Sequence, residues 1–164
     1  MDVASKPGQG TTVSIFFPTI EKQSAGESKQ TEAFPKGAET ILLVDDDKQV
    51  VEMVSQMLAD LGYRVIPVFG AAEALKFFSD VPDTVDLVIT DQTMPGMTGE
   101  YLIGRLREIR PDLPTIICTG YSETMDAQRA LEKGIDAFLM KPVDMMEMAL
   151  TIRRILDADQ SIVS

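Results

Sequence analysis

Three aspartates stand in a row at Asp45-Asp46-Asp47, a fourth stands at Asp91, a hydroxyl precedes glycine at Thr119-Gly120, and a lysine precedes proline at Lys141-Pro142. Carboxylates brought together repel one another, and burial alone would raise their pKa values. A hard divalent cation relieves that conflict; magnesium takes oxygen ligands in near-octahedral geometry at ~2.0–2.1 Å and keeps several waters. The chain has no histidine. That excludes Ser-His-Asp and Cys-His catalysis, histidine-ligated zinc and a phosphohistidine of its own. Cys118 is the single cysteine, so no internal disulfide can form and a reducing compartment is the default. Lys and Arg number 15 against 26 Asp and Glu, a net charge of −11. A non-specific nucleic-acid binder needs a basic face, so this balance argues against one and fits metal cations or basic partner surfaces.

Each of these residues also has a plainer role when taken singly. Asp45–Asp47 suits a helix cap, Asp91 ahead of Pro95-Gly96 suits turn chemistry, Thr119 a strand-end hydroxyl, and Lys141 a surface lysine. The chemistry rests on their convergence, which the surrounding elements must supply. A chain of 164 residues allows one domain plus a tail. From residue 40 onward, strands and helices alternate. Ile41 to Val44 is a short apolar run, consistent with a strand buried on both faces. A helical stripe follows (Val50, Val51, Val54, Met57, Leu58, Leu61), stopped by Gly62. Strands are predicted over Arg64–Val68, Asp86–Thr90, Thr115–Cys118 and Ala137–Met140. Further helices are predicted over Ala71–Phe78, around Leu102–Ile109, over 123–133 and along Met145–Leu156. Strands this apolar need helices on both faces, so a doubly wound α/β fold with a five-stranded parallel sheet is expected. Ligands in such sheets bind at the carboxyl ends of the strands. Asp45–Asp47, Asp91, Thr119 and Lys141 all fall at those ends.

In this order and register, the strand into Asp45-Asp46, then Asp91-x-x-Met94-Pro95-Gly96-Met97-x-Gly99, then Thr119, then Lys141-Pro142 resembles the receiver domain of two-component response regulators over roughly residues 39–158. The resemblance implies a (βα)5 flavodoxin-like fold and a phosphoacceptor function. Asp91 would be the phosphoacceptor, attacking phosphorus as a carboxylate. Asp45, Asp46, Asp91 and the backbone carbonyl of Thr93 would hold Mg2+. Lys141 and the Thr119 hydroxyl would neutralise the phosphoryl oxygens, and Gly120 would leave room for the group. In the family the peptide ahead of that proline is cis and aims the lysine. The resemblance also implies a switch: the Thr119 hydroxyl moves toward the phosphoryl group, and Phe138, where a tyrosine is often seen, turns inward. A plain core phenylalanine remains the alternative. The readout would be the face formed by the fourth helix, the fifth strand and the last helix. Thr93 and Tyr121 occupy the positions that tune phosphoryl lifetime in this family, and the Tyr121 ring could shield the group from water.

Residues 1–40 carry five acids and four bases, so the acidity belongs to residues 41–164. Thr11 to Phe17 suits a strand, preceded by the turn residues Pro7-Gly8-Gln9-Gly10. Residues 21–38 hold no Val, Ile, Leu or Met, and residues 19–38 read as a flexible linker. The run Ser5-x-Pro7-Gly8-x-Gly10-Thr11-Thr12-Val13-x-Ile15-x-Phe17-Pro18 resembles the closing turn and last strand of the ATP-binding domain of sensor histidine kinases. A hybrid histidine kinase would end in this way, with residues 1–18 as the remnant, 39–158 as the receiver and 159–164 as a tail. Residues 1–20, separated from their sheet, are expected to be disordered. The ATP-binding motifs and donor histidine are absent, so the chain is expected to be part of a longer protein.

The expected partners are a phosphohistidine-bearing kinase or phosphotransfer domain and a downstream phosphotransfer protein, with no nucleic acid and no membrane contact by this segment. No apolar run approaches ~18 residues and no signal peptide is visible, so a cytoplasmic setting is expected, with the parent protein free to be membrane-anchored. Two other readings compete. One is a receiver-like binding module independent of phosphorylation. The other is a phosphatase of the haloacid dehalogenase type, whose Asp-x-Asp motif Asp45-Asp46-Asp47 satisfies; that family also needs a later acidic pair, where this chain has Lys141.

Overall fold

The computed structural model describes residues 2–6, 10–14, 34–120 and 134–160. The chain divides into two compact units, Met1–Glu32 and Ala33–Ser164. In the first unit, β1 (Asp2–Lys6) pairs with β2 (Gly10–Ser14) in an antiparallel ladder, with Val3 opposite Val13 and Ser5 opposite Thr11. β2 overlaps the strand expected from Thr11 to Phe17, whose last residues lie outside the described residues; β1 is a second strand where disorder is expected. A lone strand leaves its N–H and C=O groups without ladder partners, and pairing answers that demand.

The second unit holds β3 (Thr40–Val44), α1 (Lys48–Asp60), β4 (Arg64–Val68), α2 (Ala71–Asp80), β5 (Leu87–Asp91), α3 (Gly99–Ile109), β6 (Thr115–Thr119), β7 (Ala137–Met140) and α4 (Met145–Gln160). A single 3-10 turn at Pro82–Thr84 links α2 to β5. The helix expected over 123–133 and Tyr121 lie outside the described residues, as does most of the expected linker. The unit begins at Ala33, ahead of the boundary at 39 expected from composition.

Five strands form one sheet in the order β4-β3-β5-β6-β7, and every adjacent pair is parallel. Strand side chains alternate between faces, which splits the core in two. Ile41, Leu43, Leu87, Ile89, Ile116 and Leu139 pack under α1 and α4. Leu42, Val44 and Val88 pack under α2 and α3, with Phe78, Leu102 and Leu106. Both faces are covered, so the central strands carry continuous apolar runs such as Ile41–Val44, with the buried polar residues Thr90, Asp91, Thr115 and Thr119 at or next to strand ends.

Local signals set where the helices begin. The Asp47 carboxylate accepts from the amides of Gln49 and Val50 and caps α1. The Thr98 hydroxyl accepts from Tyr101 N and caps α3. Gly62 turns the chain out of α1 at φ +96°, in the left-handed region that favours glycine.

Candidate functional site at the carboxyl edge of the sheet

Four strands deliver the candidate residues to one edge. Asp45 follows β3, Asp91 ends β5, Thr119 ends β6, and Lys141 follows β7. Backbone bonds extend the ladder past the strand ends and hold these residues in register. Asp45 N donates to Val68 O at 3.3 Å, Gln92 N to Cys118 O at 2.9 Å, and Lys141 N to Thr119 O at 2.8 Å.

Asp45 and Asp91 are buried and Asp46 is exposed, yet one carboxylate oxygen from each lies within 4.8 Å of the others. Lys141 Nζ reaches between two of them, 2.8 Å from Asp45 Oδ2 and 2.6 Å from Asp91 Oδ1. The other oxygens are also engaged: Asp45 Oδ1 accepts from Asp47 N and Asp91 Oδ2 from Thr93 N, both at 2.9 Å. Burial pushes the Asp91 carboxyl above the usual aspartate range and the Asp45 charge adds to the rise, while Lys141 and the Thr93 amide restrain it. Burial alone would depress Lys141, but its hydrogen bonds to Asp45 and Asp91 outweigh that and raise its pKa. The lysine is therefore firmly cationic, and the Lys141–Pro142 peptide is cis.

Three carboxylates against one ammonium leave the cluster with surplus negative charge. An all-oxygen donor set of this kind, with Asp46 open to solvent, suits a hard divalent cation. The third aspartate of the triplet is otherwise employed, because Asp47 caps α1.

Thr119 is buried at the adjacent strand end and its hydroxyl contacts the Gly120 carbonyl at 3.3 Å. Among the described residues, a Cβ on Gly120 would meet nothing within 4 Å. Phe138 lies on β7. It is half-buried against Ile103, Ile117 and Ile135, between β6, β7 and α3. Tyr121 lies outside the described residues. Cys118 pairs in register with Asp91, but burial pushes its thiol up to about 12, which leaves it unreactive.

Gly99 and Gln92 are supporting residues whose roles the sequence did not disclose. Gly99 N donates to Gln92 O at 2.9 Å, and a Cβ at Gly99 would collide with the Asp91 carbonyl oxygen. The Gln92 side chain accepts from Glu100 N at 3.2 Å, at the start of α3. The spacing Asp91-x7-Gly99 is visible in the sequence, but the close approach that requires glycine arises only when the loop folds back on its own origin.

The comparisons with known proteins agree with this geometry. The response regulator receiver domain family matches residues 41–153, and the chain belongs to that family. It is 30% identical over 162 residues to the sensor kinase CckA of Brucella abortus (strain 2308), across 93% of this chain and 17% of that protein. It is 35% identical over 122 residues to the DNA-binding transcriptional regulator NtrC of Azospirillum brasilense, across 74% of this chain and 25% of that protein. A response regulator receiver domain protein from Clostridium thermocellum superposes with a TM-score of 0.73 at 26% identity, covering 76% of this chain and 98% of that one. The chain spans a quarter or less of the length of these two curated relatives. No helix among the described residues is long and apolar enough to cross a membrane.

Proposed function

We propose that Asp91 is the phosphoacceptor of this receiver, and that it takes its phosphoryl group from a phosphohistidine on another domain or chain. The observation that carries the reading is the Lys141 ammonium set between Asp45 and Asp91 inside a three-carboxylate cluster. An Asp91 oxygen attacks phosphorus, the phosphorus–nitrogen bond breaks, and its electron pair leaves with the imidazole. Lys141 then exchanges carboxylate oxygen for phosphoryl oxygen, and the Thr119 hydroxyl donates to the same group. Asp45, Asp46, Asp91 and the Thr93 carbonyl would hold Mg2+, which when bound neutralises charge on the phosphoryl oxygens. Phe138, between β7 and α3, would follow Thr119 and alter the face that includes β7 and α4.

A hybrid-kinase setting is supported by the match to a sensor kinase. Its 93% coverage leaves about a dozen residues of this chain unmatched, so the similarity runs well ahead of residue 41. On that reading residues 1–18 close a kinase ATP-binding domain, residues 19–38 link it to the receiver, and the output is onward phosphotransfer or protein contact. Thr93 and Tyr121 would set the lifetime of the phosphoryl group.

The test is treatment with a small-molecule acyl phosphate and Mg2+, read by intact mass. One phosphoryl group should be gained by the wild type and none by Asp91→Asn. Equal modification of Asp91→Asn would overturn the assignment. Decay of the modified protein should be faster in Tyr121→Ala, and equal decay would remove Tyr121 from the account.

A further inference from the structure

At the opposite edge of the sheet the incoming chain is held by a cluster that the acceptor chemistry does not use. Glu39 immediately precedes β3, and its Oε1 lies 2.7 Å from Arg153 Nη1 on α4. The second arm of that guanidinium, Nη2, lies 2.7 Å from Asp157 Oδ1, one turn further along the helix. The Arg153 and Glu39 side chains are only 15% and 22% exposed. Gly37 N donates to Leu61 O at 3.1 Å, and Arg64 N to Glu39 O at 2.9 Å. A Cβ at Gly37 would collide with the Tyr63 ring, the Glu39 carboxylate and the Arg153 guanidinium. Tyr63 is buried behind them. Residues 34–39 contain no helix or strand, yet Gly37 and Glu39 are half-buried against the domain, with Ala38 exposed between them.

The same two elements are joined again at the acceptor edge. Glu39 and Asp45 bracket β3, about 20 Å apart along an extended strand. Lys141 precedes α4 and Arg153 lies on its third turn, about 12 Å along the helix from its start. The Glu39–Arg153 ion pair thus ties the residue before β3 to the middle of α4, and the Asp45–Lys141 pair ties the residue after β3 to the loop that leads into α4. A helix tethered through its leading loop and again at its third turn cannot shift at one tether without loading the other.

We propose that residues 34–39 are a strap, clasped by Arg153, that ties the chain ahead of the receiver to α4 and so passes the state of Lys141 to it. The strap stands on its own contacts; the passing of state rests on the Asp91 phosphoacceptor reading. Arg153 is a positioning residue, remote from the reacting atoms. Its fork holds Glu39 and Asp157 together, which a lysine cannot reproduce.

The experiment uses the full 164-residue chain. Limited trypsin digestion after Lys36, beside the wedged Gly37, reads the strap directly. Cleavage should rise about tenfold in Arg153→Ala, in line with the loss of one charge-assisted hydrogen bond. Glu39→Gln should rise by a smaller factor, and Arg153→Lys should fall between wild type and alanine. Urea midpoints for each variant separate local opening from global unfolding. Cleavage unchanged in both Arg153→Ala and Glu39→Gln, or rising only as far as the midpoints fall, overturns the strap.

Backbone amide spectra with Mg2+ and beryllofluoride, an aspartyl phosphate mimic, read the coupling. Shifts should occur at Gln92 and Thr93 and also at Gly37 and Ala38. In Arg153→Ala the site shifts should persist and the strap shifts vanish. Site shifts without strap shifts in the wild type overturn the coupling and leave the Asp91 reading standing. No shift at either place overturns both.

Discussion

Replacing Lys141 with methionine keeps the length of the side chain and removes the one cation between Asp45 and Asp91. At an effective dielectric of about 20, unit charges about 2.8 Å apart attract by roughly 6 kcal/mol, and the lysine has two such partners. Desolvation offsets several kcal/mol of that gain for each ion. Losing one partner of a fully buried pair costs about 3–5 kcal/mol, because a buried charge is left uncompensated. Lys141 keeps 32% of its side-chain surface in water, so screening reduces the figure. We expect a loss of about 2–3 kcal/mol for Lys141→Met at neutral pH without divalent cations, measured by urea denaturation in chelator.

The pH dependence carries a sign. An acid whose folded pKa lies above its unfolded value binds a proton more readily when folded, so its ionisation destabilises the fold as pH rises. Asp91 already sits above the usual aspartate range, and Lys141 restrains the rise. In Lys141→Met that restraint is gone and the Asp91 carboxyl goes higher still. The stability gap between variant and wild type should therefore narrow as pH falls from 7 through the raised Asp91 value. Added Mg2+ should also narrow it at pH 7. A gap under about 0.5 kcal/mol at pH 7, or one that does not change with pH, would refute the claim that the ammonium balances these carboxylates.

Gly99→Ala should cost about 1–3 kcal/mol, because the new Cβ meets the Asp91 carbonyl, and should shift the Asp91 and Gln92 amides; thermal denaturation and amide spectra check it. Leu102→Ala, fully buried under the sheet, should cost about 2–5 kcal/mol, whereas Leu150→Ala, 54% exposed on α4, should stay within about 0.5 kcal/mol. For Glu39, burial would raise the carboxyl, but the Arg153 bonds and backbone amides outweigh it and hold its pKa low. Arg153 and Tyr63 are the titratable groups facing it, and Asp157 shares the Arg153 guanidinium. The stabilisation it contributes is present above the unfolded glutamate pKa and is lost as pH falls through the lower folded value. The stability difference between wild type and Glu39→Gln should accordingly fade in acid below the usual glutamate range, as read by urea midpoints against pH.

Much of the receiver is legible in the residues alone. Apolar runs such as Ile41–Val44 need cover on both faces, so helices must flank the sheet, and connection rules then bring Asp45, Asp91, Thr119 and Lys141 to one edge. Those are strong local constraints, and periodicity reports them directly. Other features depend on which groups meet across the fold. Periodicity could not divide the aspartate triplet, but the start of α1 does: Asp47 caps the helix while Asp45 and Asp46 turn to the cluster. Lys141 is an ordinary lysine until β7 sets its ammonium between two carboxylates 96 and 50 residues away in sequence. The glycine at 99 is demanded by the carbonyl of Asp91, and the glycine at 37 by the ring of Tyr63. Composition marks residues 19–38 as linker because residues 21–38 hold no Val, Ile, Leu or Met. The end of that stretch is nonetheless anchored, Gly37 by its bond to Leu61 and the adjoining Glu39 by an ion pair with Arg153 that spans 114 residues of chain. Burial periodicity is a local property that a sequence displays, whereas close approach and charge pairing exist only once distant segments are brought into contact.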